Sequence, residues 1–313
     1  MKPVVFLLGP TATGKTALAC ELRARFPFDI VSVDSAMVYR EMNIGTAKPD
    51  AVTLAQYPHQ LINLINPDQV YSVADFRRDA LAAIAKIHAN GRTPLLVGGT
   101  MMYVKALIEG LSAMPPADLA IRRQIADRAV QRGWPAMHAE LARVDAISAA
   151  RLSPNDSQRI QRALEVFAIS GTPISELQTR NVQKNPDAPV FPFASTILAL
   201  LPSERALLHQ RIEARFDAML ANGLVDEVQK LREKYRLTID MPSMRCVGYR
   251  QVWNFLDGKI DVAVMRAQGI AATRQLAKRQ MTWLRGMERA ETFDCMAPAV
   301  SSQLSHRLQQ IPL

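Results

Sequence analysis

The sequence predicts an α/β fold: a parallel-sheet core interrupted by an all-helical insertion domain. Three observations predict it. A strand, a glycine-rich loop and a helix follow one another at the N-terminus. Strands and helices then alternate through the first third of the chain. From 117 to about 179 only helical periodicity is readable, after which one more apolar strand appears. Alternation of this kind favours a parallel sheet with helices on both faces.

Taken in order, Val4-Val5-Phe6-Leu7-Leu8 is a continuous apolar run, as expected of a strand buried on both faces. Gly9-Pro10-Thr11-Ala12-Thr13-Gly14-Lys15-Thr16 fits the phosphate-loop pattern G-x-x-x-x-G-K-[ST], which makes the core P-loop NTPase-like. A helix is expected over 17–25, a second strand over 30–33, and a helix over 72–90 whose apolar face is Val73, Phe76, Ala80, Ile84 and Ile87. A third strand over 93–97 is closed by Gly98-Gly99-Thr100. After Pro115-Pro116 the insertion offers helices over 119–132, 135–144 and 155–170. Residues 181–192 are polar and proline-rich and read as a loop or linker. A strand over 195–201 returns the chain to the sheet, and helices follow over 204–221, 224–235 and 262–285. Beyond about Arg289 the chain reads as a poorly specified tail. The expected division is a core of 1–115 plus 195–290, an insertion of 116–194 and a tail of 291–313.

The chain has 313 residues, 49% of them hydrophobic, which suffices for a large core. Its net charge of +9 favours a polyanionic partner, nucleic acid before a membrane surface. The three cysteines, Cys20, Cys246 and Cys295, lack C-x-x-C spacing, and the five histidines form no H-x-x-x-H pair. Zinc sites and a disulfide framework are therefore not expected, and a reducing cytoplasm is. The first strand begins too early for a signal peptide, and no apolar run approaches a membrane span.

Ligands of α/β sheets sit at the carboxyl ends of the strands. Three such ends are readable: the phosphate loop, Asp34-Ser35 and Gly98-Gly99-Thr100. Loop amides, the helix N-terminus and Lys15 together suit a polyphosphate, with the Thr16 hydroxyl placed to ligate Mg²⁺. Asp34 could be a general base, a Mg²⁺ ligand or a helix N-cap. The third strand lacks the terminal acid with which many ATPases hold metal-bound water, which favours transfer chemistry that excludes water. Arg211 and Arg215 share one helical face, and one of them could neutralise a departing phosphate or simply pair with Glu213 or Asp217. Arg274, Lys278 and Arg285 form a basic helix side suited to a phosphate backbone. Arg245-Cys246-Val247-Gly248-Tyr249-Arg250 places cations around an aromatic, a stacking and phosphate site for RNA. In the insertion, Gln158, Arg159, Gln161 and Arg162 give a polar, basic helix face.

Together these segments resemble the bacterial tRNA dimethylallyltransferases, members of the tRNA isopentenyltransferase family. Further matching stretches are Ser32-Val33-Asp34-Ser35-Ala36-Met37-Val38-Tyr39, Ile44-Gly45-Thr46-Ala47-Lys48-Pro49, Tyr71-Ser72-Val73-Ala74-Asp75-Phe76-Arg77, Leu96-Val97-Gly98-Gly99-Thr100 and Thr273-Arg274-Gln275-Leu276-Ala277-Lys278-Arg279-Gln280. The resemblance runs from Val4 to about Arg285. It implies that the loop residues Gly9, Thr11, Ala12, Thr13, Gly14, Lys15 and Thr16 hold the diphosphate of dimethylallyl diphosphate, with Mg²⁺ at Thr16. It implies catalytic roles for Asp34, Thr100 and Arg215. It implies contact of an RNA anticodon stem-loop with Asp34, Ser35, Ala36 and Met37, with Gln158, Arg159, Ile160, Gln161 and Arg162, and with Arg245, Cys246, Gly248, Tyr249 and Arg250; the basic helix side adds Arg274 and Lys278 as expected RNA contacts. The implied reaction alkylates the exocyclic amine of the adenosine 3′ to the anticodon, in a cytoplasmic, monomeric enzyme with no membrane partner. A small-molecule kinase and an NTP-switched RNA-binding protein are the competing readings of the phosphate loop.

Overall fold

The computed structural model describes residues 3–112, 114–183 and 191–313. The chain divides into two compact units, Met1–Glu109 with Phe191–Leu313, and Gly110–Val190.

The first unit opens with β1 (Pro3–Leu8), α1 (Lys15–Arg25) and β2 (Phe28–Val33). The apolar run of β1 is wholly buried from Val4 to Leu8, as a strand covered on both faces must be. Two short elements that carry no sequence signal follow, α2 (Ala51–Gln56) and β3 (His59–Gln60). The expected long helix is α3 (Val73–Ala89); Ser72 and Asp75 close it with a reciprocal capping box. β4 (Thr93–Gly98) then leads directly into α4 (Met101–Glu109).

The second unit is helical: α5 (Leu119–Arg132), α6 (Trp134–Val144), α7 (Ala146–Arg151), α8 (Ser157–Ser170) and α9 (Ile174–Gln183). Ile125, Met137, Leu141, Ile160 and Leu164 form its core. Two buried carboxylates organise it. Asp145 accepts from both the amide and hydroxyl of Ser148 and of Ser175. Burial alone would raise its pKa, but these four hydrogen bonds prevail and lower it. Glu165, fully buried, is held by Arg162 at 2.7 Å, Arg122 at 2.9 Å and the Asp118 amide.

The chain returns through β5 (Ala194–Leu201), α10 (Arg205–Ala221), α11 (Leu224–Lys234), α12 (Tyr249–Leu256) and α13 (Val262–Arg285), and ends with β6 (Ala290–Asp294) and α14 (Val300–Gln309). The expectation of an unspecified tail after Arg289 is corrected here. β6 pairs in parallel with β5, and Leu304 and Leu308 of α14 are buried against the sheet core. The proposed linker over 181–192 is also revised. Residues 181–183 finish α9, 184–190 lie outside the described residues, and Phe191 is buried against the Phe6 ring.

The six strands form one parallel sheet in the order β3-β2-β4-β1-β5-β6. Its register decides where the site lies. Gly98 at the end of β4 aligns with Leu8 of β1 on one side and Val33 of β2 on the other. The next residues along these strands are Gly9, Asp34 and Gly99, so three chemistry-bearing loops leave the sheet at one edge. Among the described residues, no helix is long and apolar enough to cross a membrane.

Candidate active site

The phosphate loop runs from the end of β1 into α1. Gly14, at φ +82°, occupies the left-handed conformation that a glycine adopts without steric cost. It is the N-cap of α1, makes no side-chain capping bond, and no acidic residue lies in the first turn. The first-turn amides and the positive end of the helix dipole are left for an external anion. Within the loop, the Thr13 hydroxyl donates to the Pro10 carbonyl at 2.9 Å, and Lys15 Nζ donates to the same carbonyl at 2.6 Å.

Lys15 is electrostatically uncomfortable in the ligand-free site. Burial and then the nearby Arg215 guanidinium lower its pKa to about 8, against opposing contributions from Asp34 and Cys295. Burial also lowers the pKa of Arg215, on α10, with Asp34 opposing. Two partly desolvated cations therefore share one carboxylate, an arrangement that suits an anionic ligand. Of the two arginines on this helical face, Arg215 is the one whose charge reaches Lys15; Arg211 donates to the Cys295 carbonyl at 3.4 Å.

Asp34 follows β2. Its Oδ1 accepts from the amides of Ala36 (2.8 Å) and Met37 (3.3 Å), so it caps the turn over residues 35–38 rather than a helix. That orients the carboxylate, and Oδ2 accepts no hydrogen bond among the described residues. The Asp34 charge acts on Lys15, Lys48, Arg215, Tyr103 and Cys246, which places it centrally. The neighbouring groups are poor bases. Burial and then the Asp34 charge push the Cys246 thiol up to about 12, and burial raises Tyr39 and Tyr103 above the ordinary tyrosine range. Thr100 joins this side of the site: its Oγ1 accepts from the Ser35 amide at 3.0 Å.

Sequence reasoning named Gln280 only within a motif, yet its side chain links the phosphate loop to the turn at Gly99. Its Oε1 accepts from the Thr11 amide at 2.9 Å, and its Nε2 donates to the Gly99 carbonyl at 2.9 Å. Glu227 was missed altogether. It accepts from the amides of Asn43, Ile44 and Gly45 and from the Tyr249 hydroxyl at 2.6 Å. Spacing gives no signal for either, since both bridge segments far apart in the chain.

Several expected RNA contacts are redirected. Tyr249 is fully buried, bonded to Glu227, and so cannot stack on a base; Gly248 is buried beside it. Arg245 and Arg250, flanking it in sequence, are exposed. Ile160 is a core residue of the helical unit. Arg162 turns inward to Glu165 and to the Pro115 carbonyl, and Gln161 donates to the Arg122 carbonyl. On that helix Gln158 and Arg159 remain exposed. Arg274 is half-buried and paired with Glu213 at 3.1 Å, whereas Lys278 is exposed. Ser35 is exposed, and Ala36, Met37 and Cys246 are half-buried beside Asp34's turn.

Residues 37–287 match the sequence model of the IPP transferase family. A tRNA dimethylallyltransferase of Thiobacillus denitrificans is 56% identical over 303 residues, covering 97% of this chain and 95% of that protein. Another, of Nitrosomonas europaea, is 53% identical and covers 98% and 95%. Among solved structures, the tRNA isopentenylpyrophosphate transferase of Bacillus halodurans aligns with a TM-score of 0.70 at 32% identity, covering 99% of this chain and 98% of that one. A eukaryotic dimethylallyltransferase, described as acting on tRNA, aligns with a TM-score of 0.78 at 25% identity, covering 100% and 81%.

Proposed function

The chain belongs to the IPP transferase family, and from that premise we propose how its phosphate loop, Asp34 and Arg215 carry out prenyl transfer. The protein is an enzyme that modifies tRNA by dimethylallyl transfer. The kinase and switch readings of its loop are set aside.

The donor is dimethylallyl diphosphate and the acceptor is the exocyclic 6-amino group of the adenosine 3′ to the anticodon. The loop amides from Ala12 to Thr16, together with the Lys15 ammonium, hold the diphosphate, while the Thr11 amide stays on Gln280. Arg215 adds a second cation where negative charge accumulates on the leaving group. The adenine leaves the anticodon-loop stack to reach the crevice. Its amine nitrogen forms a bond to the allylic carbon as the carbon–oxygen bond to diphosphate breaks. The bonding pair departs with the diphosphate oxygen, and the amine proton passes to Asp34. Asp34 suits that role by geometry: its Oδ1 is fixed by the Ala36 and Met37 amides, and its Oδ2 accepts no hydrogen bond among the described residues. Thr100 fixes the turn after Asp34 and faces the acceptor.

The residues suit a divalent ion that arrives with the diphosphate. Thr16 supplies a hard oxygen donor at the start of α1, and the described residues contain no cluster of three or more His, Cys, Asp or Glu to hold a resident metal. Mg²⁺ held by Thr16 and the diphosphate would neutralise the leaving group. RNA meets the exposed Ser35, Arg245, Arg250 and Lys278 of the sheet unit and Gln158 and Arg159 of the helical unit.

The observation that carries this reading is a phosphate loop whose Lys15 lies near Arg215, both within reach of a carboxylate, Asp34, oriented by the Ala36 and Met37 amides. Asp34→Asn is expected to lower single-turnover transfer by roughly 100-fold or more while diphosphate affinity stays within a few-fold of wild type. Loss of diphosphate affinity instead would make Asp34 a metal ligand; undiminished transfer would remove it from the chemistry.

A further inference from the structure

One carboxamide connects the two halves of the site. Gln280 projects from α13 and bonds at both of its polar atoms: Oε1 to the Thr11 amide of the phosphate loop, and Nε2 to the Gly99 carbonyl that precedes Thr100. The fit is tight. A Cβ built on Gly99 would lie 2.4 Å from Gln280 Nε2 and 2.9 Å from the Gly9 carbonyl oxygen, so the bridge requires glycine at that position. The connection continues through the Thr100 hydroxyl to the Ser35 amide, adjacent to Asp34. A loop amide needs an acceptor and a strand-end carbonyl needs a donor. A carboxamide supplies both on a planar, neutral group, which a carboxylate, an ammonium or an aliphatic side chain does not.

We propose that Gln280 is a positioning residue that sets the phosphate loop against Thr100 and Asp34, and so fixes the distance between the departing diphosphate and the attacking amine. This rests on the reading above, in which the loop holds the donor and Asp34 serves the acceptor. Gln280 touches no reacting atom. It acts by holding the ends of β1 and β4 in one geometry, where a displacement of about 1 Å can cost on the order of 100-fold in rate.

The test compares wild type with Gln280→Ala, Gln280→Glu, Lys15→Ala and Asp34→Asn. Transfer from dimethylallyl diphosphate to an anticodon stem-loop RNA is followed at single turnover, alongside RNA binding, inorganic diphosphate binding and thermal unfolding. Gln280→Ala is expected to lower kcat roughly 10- to 100-fold, with RNA affinity unchanged within about twofold and the protein folded at the assay temperature. Gln280→Glu keeps the acceptor for Thr11 but sets a carboxylate against the Gly99 carbonyl. Its rate relative to wild type is therefore expected to rise as pH falls and the introduced carboxyl regains a proton to donate. A purely structural role would not produce that pH dependence. Wild-type kcat in Gln280→Ala, a loss that follows only the unfolded fraction, or a pH-independent ratio for Gln280→Glu overturns the proposal while Lys15→Ala and Asp34→Asn remain impaired. Unimpaired transfer in those two variants overturns the underlying reading instead.

Discussion

Lys15 shows how a local motif acquires its chemistry from distant residues. Its place in the loop is legible from an eight-residue pattern, but its lowered pKa comes from burial and then from Arg215, two hundred positions away in sequence. The sign of the consequence is definite. In the ligand-free protein Lys15 is charged below about pH 8 and loses its proton as pH rises through that value, well below its ordinary pKa of 10.5. A bound diphosphate stabilises the charged form, so binding above pH 8 must take up a proton. Diphosphate affinity is expected to fall as pH rises past about 8, with proton uptake visible in calorimetry as a dependence of heat on buffer ionisation. In Lys15→Met both effects should vanish along with most of the affinity. Equal proton uptake in that variant would assign the titration to another group. Asp34 was legible as a strand-end acid, but not the choice among its roles. Only the structure shows Oδ1 occupied by the Ala36 and Met37 amides.

At the scale of elements, the long periodic helices and the buried strands were readable, because burial on one or both faces writes itself into consecutive residues. The short or context-dependent ones were not. α12 has eight residues, and β6 (AETFD) has no wholly buried position and is specified mainly by pairing with β5. The same limit misassigned Tyr249. In sequence it stands between two arginines and reads as a stacking residue. In the fold it lies at the start of α12, and its hydroxyl bonds to Glu227 of α11, whose other bonds hold the loop at Asn43, Ile44 and Gly45. Tyr249→Phe removes one donor from a half-buried carboxylate and is expected to destabilise the protein by about 1–3 kcal/mol in denaturant unfolding. RNA affinity of the folded protein should be unchanged. Weakened RNA binding at undiminished stability would restore Tyr249 to the RNA surface. Arg274 teaches the same lesson: it is a basic residue at a promising helical spacing whose partner, Glu213, lies on another helix. Arg162 differs, since its partner Glu165 is only three residues on, and what the local pattern hides is that Glu165 is buried.

At the scale of the whole molecule, the parallel sheet does for the site what no single segment can. Its register aligns Leu8, Val33 and Gly98, so the phosphate loop, Asp34 and the Gly99-Thr100 turn emerge together. Alternating strands and helices made this architecture readable, and the switch to helices after Pro115-Pro116 revealed an insertion. The positive net charge pointed to a polyanion without saying which. On the proposed reading, the chemistry on this edge is a cationic loop near an oriented carboxylate. Mass spectrometry of nuclease-digested anticodon stem-loop RNA, after incubation with the protein, Mg²⁺ and dimethylallyl diphosphate, tests that most directly. The account predicts one dimethyallylated adenosine, 3′ to the anticodon, absent when ATP replaces the diphosphate and absent with Asp34→Asn. An unmodified RNA, or a product formed equally well without Asp34, would contradict it.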